Sequence, residues 1–313
     1  MSVVVLGSLN MDLTTYVPRL PRPGETLLGR SFKVVPGGKG ANQAVAAARL
    51  GSQVRLFGRL GRDDFGDQHL SAMRLEGVDT TGVKRDEQHP TGLAVISVED
   101  SGENWITVIS GANMAVDEED VARCAQAMSD AKVLLLQLEI PLGANIAAAD
   151  EARRRGLTVI LDPAPAGILP DTLFPMIDVI TPNEVEAAAL VGHPVVSEKD
   201  AFAASAILRQ KGVPTAIIKM GERGAVYETA TDRGRVAAFQ VNAVDSVAAG
   251  DAFNGALATA LAEGQEIRQA VRWGAAAGAL AVTRSGALPS LPHRDEMIEL
   301  LQSDRPSEAS ADG

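Results

Sequence analysis

Asp245-Ser246-Val247-Ala248-Ala249-Gly250-Asp251-Ala252-Phe253-Asn254-Gly255 stands between a strand-like run, Val236 to Val241, and an apolar helical run, Ala256 to Leu261. The pattern predicts a turn of small residues that carries Asp251 to the start of a helix. Free backbone N–H groups at a helix start point outward and favour negative charge. Ala248, Ala249 and Gly250 carry almost no side chain, so an anion can approach their amides closely. An anion cradle beside a carboxylate suits phosphoryl transfer: the amides hold the charge that moves, and Asp251 takes a hydroxyl proton. An ordinary N-cap explains an aspartate at a helix start equally well, so the rest of the chain has to decide.

Outward from this stretch, strand-like and helical runs alternate. Val3 to Leu6, Val54 to Phe57, Lys132 to Leu138, Leu157 to Leu161, Val179-Ile180 and Thr215 to Lys219 read as strands. Ala44 to Leu50, Asp67 to Leu75, Asp117 to Met128, Ala144 to Arg155 and Ala201 to Lys211 read as helices, as do Arg268 to Thr283 and His293 to Gln302. This rhythm argues a parallel sheet covered on both faces. Two segments break it. Residues 13–35 mix Pro18, Pro21 and Pro23 with β-formers, and Leu93 to Val98 and Trp105 to Ile109 flank a hairpin signal. Together they are expected to form a small inserted sheet. The expected division is 1–12, 36–90 and 111–302 for the α/β body, 13–35 and 91–110 for an inserted β lid, and 303–313 for a disordered polar tail.

The bulk composition narrows the function. The 313 residues are 46% hydrophobic, enough for one large core with a small appendage. A net charge of −11 argues against a nucleic-acid partner, which calls for a basic face. The single cysteine, Cys124, allows no intrachain disulfide and suits a reducing, cytoplasmic setting. No apolar run reaches the length of a membrane span, and Met1 to Gly7 lacks the basic segment of a signal peptide. One cysteine and four scattered histidines assemble no zinc-type cluster.

Polar residues gather just past the strand-like runs: Asn10 and Asp12, Glu139, Asn183 and Glu186. Ligands of parallel sheets bind at such carboxyl ends. A second small-residue stretch, Gly37-Gly38-Lys39-Gly40-Ala41-Asn42-Gln43, precedes the helix at Ala44. Its backbone can wrap a small ligand while Lys39 and Asn42 supply donors. A flexible turn with a solvated lysine would look the same.

Taken in order, Gly37 to Ala44, Gln137-Leu138-Glu139, Asp162-Pro163-Ala164-Pro165, Thr181-Pro182-Asn183-Glu184-Val185-Glu186 and Asp245 to Gly255 resemble the signatures of the PfkB carbohydrate kinases. The resemblance runs from about Val3 to Leu300. It implies a Rossmann-like three-layer α/β fold with a small β-sheet lid. It implies ATP-dependent phosphorylation of a sugar hydroxymethyl, with D-ribose O5 as the acceptor expected. Carried over by position, Asp251 would be the general base, and the Ala249 and Gly250 amides the anion hole. Asn10, Met11, Asp12, Gly38, Lys39, Gly40, Ala41, Asn42 and Glu139 would hold the sugar. Asn183, Lys219, Met220, Gly221, Glu222, Arg223, Gly224, Gly250, Asp251 and Ala275 would border the nucleotide.

Glu186, with Asn183, would organise Mg²⁺ through water. Asp245, Val247, Ala281, Arg284, Gly286 and Ser290 would form a K⁺ site. A homodimer through the lid is expected. Lys219 departs from the pattern, since related chains often carry threonine there; a lysine could reach a phosphate or face solvent. Deoxyribose, fructose or a nucleoside as acceptor stays open, as does a sugar-binding protein without catalysis. A nucleoside would call for an aromatic platform, and the chain is only 4% aromatic.

Overall fold

The computed structural model describes residues 2–101 and 103–303. In chain order the elements are β1 (Ser2–Leu6), β2 (Asn10–Val17), β3 (Ser31–Gly37), α1 (Lys39–Arg49), β4 (Gln53–Gly61), α2 (Asp64–Leu75), β5 (Asp79–Asp86), β6 (Gly92–Glu99) and β7 (Asn104–Ile109). There follow α3 (Glu118–Ala127), β8 (Val133–Gln137), α4 (Leu142–Arg154), β9 (Thr158–Asp162), β10 (Val179–Ile180), α5 (Glu184–Val191), α6 (Glu198–Gln210) and β11 (Thr215–Lys219). The chain closes with β12 (Ala225–Glu228), β13 (Arg233–Val236), α7 (Ala249–Ala262), α8 (Ile267–Ala281) and α9 (Arg294–Ser303).

The larger sheet has nine strands in the order β13-β12-β11-β10-β9-β8-β1-β4-β5. From β11 to β5 the pairings are parallel. Each strand residue sends its side chain to the face opposite its neighbour's. Val3 and Val5 therefore join one core with α1, α7 and α8, while Val4 and Leu6 join another with α3 and α4. Both faces are dry, which is why these strands are continuous apolar runs rather than alternating ones. The expected three-layer α/β fold is what the chain adopts. No helix among the described residues is long and apolar enough to cross a membrane.

The smaller sheet has four strands, ordered β3-β2-β6-β7. It extends past residues 13–35: β2 begins at Asn10 and β3 runs to Gly37. Asn10 and Asp12 therefore lie on a strand of the smaller sheet rather than in a loop after β1.

Other expectations need correction. The helix placed at Ala44 begins at Lys39, after Gly38 at φ 90°. Gly40 is there for close approach, not for a loop: a Cβ would sit 2.6 Å from the Gly7 carbonyl carbon and the Ser8 nitrogen. Of the strand expected at Val236 to Val241, only Val236 is paired. It pairs with Ala225, where β12 begins, so the chain beyond has no partner strand. The strands β5, β12 and β13 were not anticipated. Ser303, expected to open the tail, ends α9; the rest of that tail, 304–313, lies outside the described residues.

Close packing of α1 on α7 brings the two small-residue stretches together. A Cβ on Gly255 would lie 2.5 Å from the Ala46 Cβ, 2.8 Å from the Ala47 nitrogen and 2.9 Å from the Gln43 carbonyl oxygen. Gly255→Ala gains about 1 kcal/mol of helix propensity, but overpacking against backbone costs about 1–3 kcal/mol. The expected result is a net loss of stability in urea unfolding; a stabilised variant would show that the two helices can separate freely.

Candidate active site

Asp251 sits in the first turn of α7, only 5% exposed. It does not cap the helix. The cap is Ala248, which has φ 60° and offers no side-chain hydrogen bond. A left-handed alanine costs about 1–2 kcal/mol; here it turns the chain so that Asp251 points inward beside the cleft. The Ala249 N–H reaches the Ser246 carbonyl at 3.3 Å, closing that turn. The Gly250 N–H has no acceptor among the described residues. Of the two expected anion-hole amides, Gly250 is thus open and Ala249 is engaged by a long bond.

Helix α1 delivers the donors. Asn42 Nδ2 donates to Asp251 Oδ2 at 2.9 Å, and Gln43 Nε2 donates to Asp251 Oδ1 at 3.0 Å. Each carboxylate oxygen has a second lone pair, so Asp251 can still accept a proton from a ligand. Asn42 Oδ1 is buried without a partner, a free acceptor in the same place. Gln43 Nε2 also donates to Asp162 Oδ2 at 2.9 Å, and Gln137 Nε2 donates to Gln43 Oε1 at 2.7 Å. Gln137 and Asp162 end β8 and β9, so these bonds cross strand ends.

On the side of the smaller sheet, Asp12 packs its carboxyl group over Gly37, which leaves no room for a Cβ there. Asn10 Oδ1 accepts from Asn113 Nδ2 at 2.7 Å, which leaves the Asn10 amide donors facing outward from that bond. Glu139 Oε2 accepts from Ser8 Oγ at 2.5 Å and from the Lys39 N–H at 3.3 Å. Met11 and Ala41 are buried, and Gly40 lies against Gly7 and Ser8, so these three bring no functional side chain.

Burial dominates the electrostatics. It pushes Asp251 up to about 6, Asp162 adding to it while Lys39 and the Asn42 and Gln43 donors oppose it. Burial, then Glu139 and Asp251, push Asp12 up to about 7. Burial alone would lower the proton affinity of Lys39. The charges of Asp251, Asp162, Glu139 and Glu186 outweigh it, and Lys39 holds its proton more tightly than usual.

Next to this cluster a cleft of about 700 Å³ runs along the strand ends. Lys39, Asp162, Asn183, Glu186, Lys219, Gly221, Glu222, Gly224, Gly250, Asp251 and Ala275 all line it. Two expected residues face elsewhere. Met220 is 2% exposed in the core, and Arg223 pairs with Glu184 and donates to the Val196 carbonyl at 2.7 Å. Asn183 and Glu186 form a capping box on α5: the Glu186 N–H donates to Asn183 Oδ1 at 2.8 Å, and the Asn183 N–H to Glu186 Oε2 at 2.7 Å. Burial raises the proton affinity of Glu186, and Lys219 opposes it.

Behind the turn, Asp245 Oδ1 accepts the Val247 N–H at 3.0 Å and Oδ2 the Gly286 N–H at 2.9 Å. One carboxylate thus ties the α7 turn to the loop after α8. Ser290 Oγ donates to the Ala287 carbonyl at 2.7 Å, the Ala281 carbonyl accepts the Arg284 N–H, and the Arg284 guanidinium pairs with Glu296.

Sequence reasoning did not place Gln43, Gln137, Ser8, Asn113 or Asp162 in the site. Gln43, Gln137 and Asp162 lie inside the quoted motifs, and that membership was the only available signal for them. Phe239, Gln240 and Val241, read as strand, instead line the cleft.

The chain as a whole has known relatives. The pfkB family carbohydrate kinase profile matches residues 1–294. A ribokinase of Haemophilus influenzae is 42% identical over 301 residues, covering 96% of this chain and 98% of that protein. A deoxyribokinase of Salmonella typhi is 37% identical over 302 residues, covering 96% and 99%. The solved structure of Arabidopsis thaliana ribokinase complexed with ribose and ATP superposes with a TM-score of 0.89 at 33% identity, covering 96% of this chain and 98% of that one.

The charge balance of the cluster is testable. Lys39→Met removes the main cation acting on Asp251, so its midpoint should rise above about 6 in a ¹³C carboxyl titration. A midpoint that stays or falls would show that Lys39 does not act on this carboxylate.

Proposed function

The chain belongs to the pfkB family of carbohydrate kinases, and we propose that it transfers the terminal phosphoryl group of ATP to O5 of D-ribose. The observation that carries this reading is the buried Asp251 carboxylate, held by Asn42 and Gln43 beside the open Gly250 amide. The ribokinases of Haemophilus influenzae and Arabidopsis thaliana support the choice of sugar. In this reading Asp251 accepts the O5 proton as the O5 lone pair attacks the γ-phosphorus. The bond from phosphorus to the β–γ bridging oxygen breaks, and ADP leaves with that electron pair. The Gly250 amide faces the charge spreading over the phosphoryl oxygens, and the Ala249 amide joins it by giving up its long bond to Ser246.

A free pentose is uncharged, so it needs hydrogen-bonding partners. Asp12 can accept from two hydroxyls, Asn10 donates, and the orphaned Asn42 Oδ1 accepts. Lys39, Gly38 and Glu139 close the same face. The smaller sheet acts as a lid that keeps out water, a competing phosphoryl acceptor. Deoxyribose is the second reading, favoured by the likeness to the Salmonella typhi deoxyribokinase. Asp12 and Asn10 together favour a sugar with both the 2- and 3-hydroxyls.

The stretch from Lys219 to Gly224, with Ala275, borders the nucleotide. The described residues hold no group of three His, Cys, Asp or Glu able to grip a metal directly. Mg²⁺ would therefore be held through water near Glu186 and by the phosphates, whose charge it offsets. For K⁺ the donors are hard oxygens: the Asp245 carboxylate, the Ser290 hydroxyl and the carbonyls of Val247, Ala281, Arg284 and Gly286. Bound there, K⁺ would steady the turn carrying Gly250. A second copy of the chain would pair through the smaller sheet, whose edge strand β7 exposes Trp105, Ile106, Val108 and Ile109. The setting proposed is the cytoplasm.

Assays of ADP release across D-ribose, 2-deoxyribose, fructose and adenosine test the substrate; the highest kcat/KM is expected for D-ribose, and a clear preference for another acceptor would replace it. Asp251→Asn should keep ATP and sugar binding and lose turnover by about 10²–10⁴-fold. Because Asp251 must be ionised to act, wild-type kcat/KM, which reports the free protein, should fall as pH drops through about 6; a flat profile to pH 5 would remove Asp251 as the base.

Turnover in buffer free of K⁺ and NH₄⁺ should rise when K⁺ is added at constant ionic strength, and the rise should vanish in Asp245→Ala. Equal rates with and without K⁺ would end the K⁺ assignment.

A further inference from the structure

The cleft contains an ion pair that the transfer step leaves unused. Lys219 ends β11 and Asp162 ends β9, and their Nζ and Oδ1 atoms are 2.9 Å apart. Between these strands lies β10, and the chain just past it still bonds to both, Thr181 N–H to the Leu161 carbonyl at 3.0 Å and Lys219 N–H to the Pro182 carbonyl at 2.9 Å, so the two side chains meet across the end of β10. Asp162 is 1% exposed. Its other oxygen accepts from Gln43 Nε2, and the same nitrogen donates to Asp251 Oδ1. A continuous line of hydrogen bonds therefore joins the lysine to the carboxylate beside the anion hole. The ammonium also stands against that hole. A Cβ on Gly250 would lie 3.4 Å from Lys219 Nζ, so the ammonium stands close beside the backbone that carries the open amide.

We propose that Lys219 changes partner during the reaction: Asp162 holds it in the free protein, and the terminal phosphoryl group of a nucleoside triphosphate takes it over beside Gly250. The proposal rests on the reading of this cleft as the ATP site. An ammonium on a flexible four-carbon stem has three rotatable donors, which suits a handover between two anions a few ångströms apart. The local charge requires such a cation. Lys39 and Lys219 face Asp162, Asp251, Glu139 and Glu186, so carboxylates already outnumber ammonium groups before a triphosphate arrives. Asp162 keeps Lys219 in place until then.

The handover has a consequence for the base. Asp162 already adds to the proton affinity of Asp251. Once its cation turns away, only Lys39 and the Gln43 donor temper that charge, and Asp251 becomes a stronger base when the phosphoryl group is in position. A pair that only ties β9 to β11 would predict something else: lost stability on substitution, with no preference between nucleotides.

Calorimetry on the full chain with Mg²⁺, comparing ADP with the β,γ-methylene analogue of ATP, separates the two. No sugar is needed, so the result does not depend on which sugar is phosphorylated. Lys219→Met should weaken the analogue by about tenfold or more, the scale of one lost charged hydrogen bond, and leave ADP within about twofold on the same reasoning. Lys219→Arg should restore most of the difference.

Asp162→Asn frees the lysine, so the preference for the analogue should hold or grow while kcat falls. Equal weakening of both nucleotides by Lys219→Met, or none, overturns the proposal. If that variant unfolds, loss of the analogue preference in Asp162→Asn overturns it instead. A wild-type protein that binds neither nucleotide defeats the ATP reading itself, and this proposal with it; binding by wild type with no selective effect at Lys219 defeats this proposal alone.

Discussion

One amide carries much of this site. Gln43 Nε2 stands between the buried carboxylates of Asp162 and Asp251 and donates to both. Two ionised carboxylates in a dry place repel each other and lack water to solvate them. The shared donor offsets part of that repulsion for both. Gln43 cannot turn its oxygen toward them, because Oε1 is occupied by the Gln137 donor from β8. The orientation of one side chain is thus fixed by the sheet, and it fixes the orientation of Asp251 in turn.

That arrangement depends on packing some distance from the chemistry. Gln43 lies on α1 and Asp251 on α7, and the two meet only because the helices come close at Ala46, Ala47 and Gly255. The small residues that make these helices plain in composition are the ones that bring the amide and the carboxylate within bonding distance. Gly7 and Gly40 do the same between β1 and α1. Here close backbone approach, rather than large apolar side chains, positions the functional groups.

The parallel sheet was legible because its strands are buried on both faces and stand out as apolar runs. The strand β5, Asp-Thr-Thr-Gly-Val-Lys-Arg-Asp, was not, since an edge strand with a half-wet face carries no such run. Glycines hid the start of α1: Gly38 and Gly40 signal a loop by composition, although Gly40 is helical and packed. The site followed the same division. Asp251 and Asn42 stood beside backbone features that declared a role. Gln43, Asp162 and Asn113 act through partners far away in sequence, and single-chain spacing does not display such pairs. The sequence leaves Lys219 two partners, a phosphate or solvent, and the fold adds a third, a buried carboxylate 2.9 Å away.

The division of labour between the two sheets comes from where polar groups can be buried. Asn10 and Asp12 lie on β2 of the smaller sheet, while Asp251 and Asp162 belong to the larger body. The groups proposed for a neutral, hydroxyl-rich ligand are thus separated from those proposed to meet phosphate charge. Asn113, just beyond β7, pins both the Leu9 backbone and the Asn10 amide, so the return of the smaller sheet into the body also sets the direction of the Asn10 side chain. Gly92 leaves the room this needs, since a Cβ there would collide with both amides. Any shift of the smaller sheet therefore moves Asn10 and Asp12 together relative to Asp251. A ligand touching both sides would draw the sheets into register, and the same movement would shed water from Asp12, whose raised proton affinity already reflects a place that water reaches poorly.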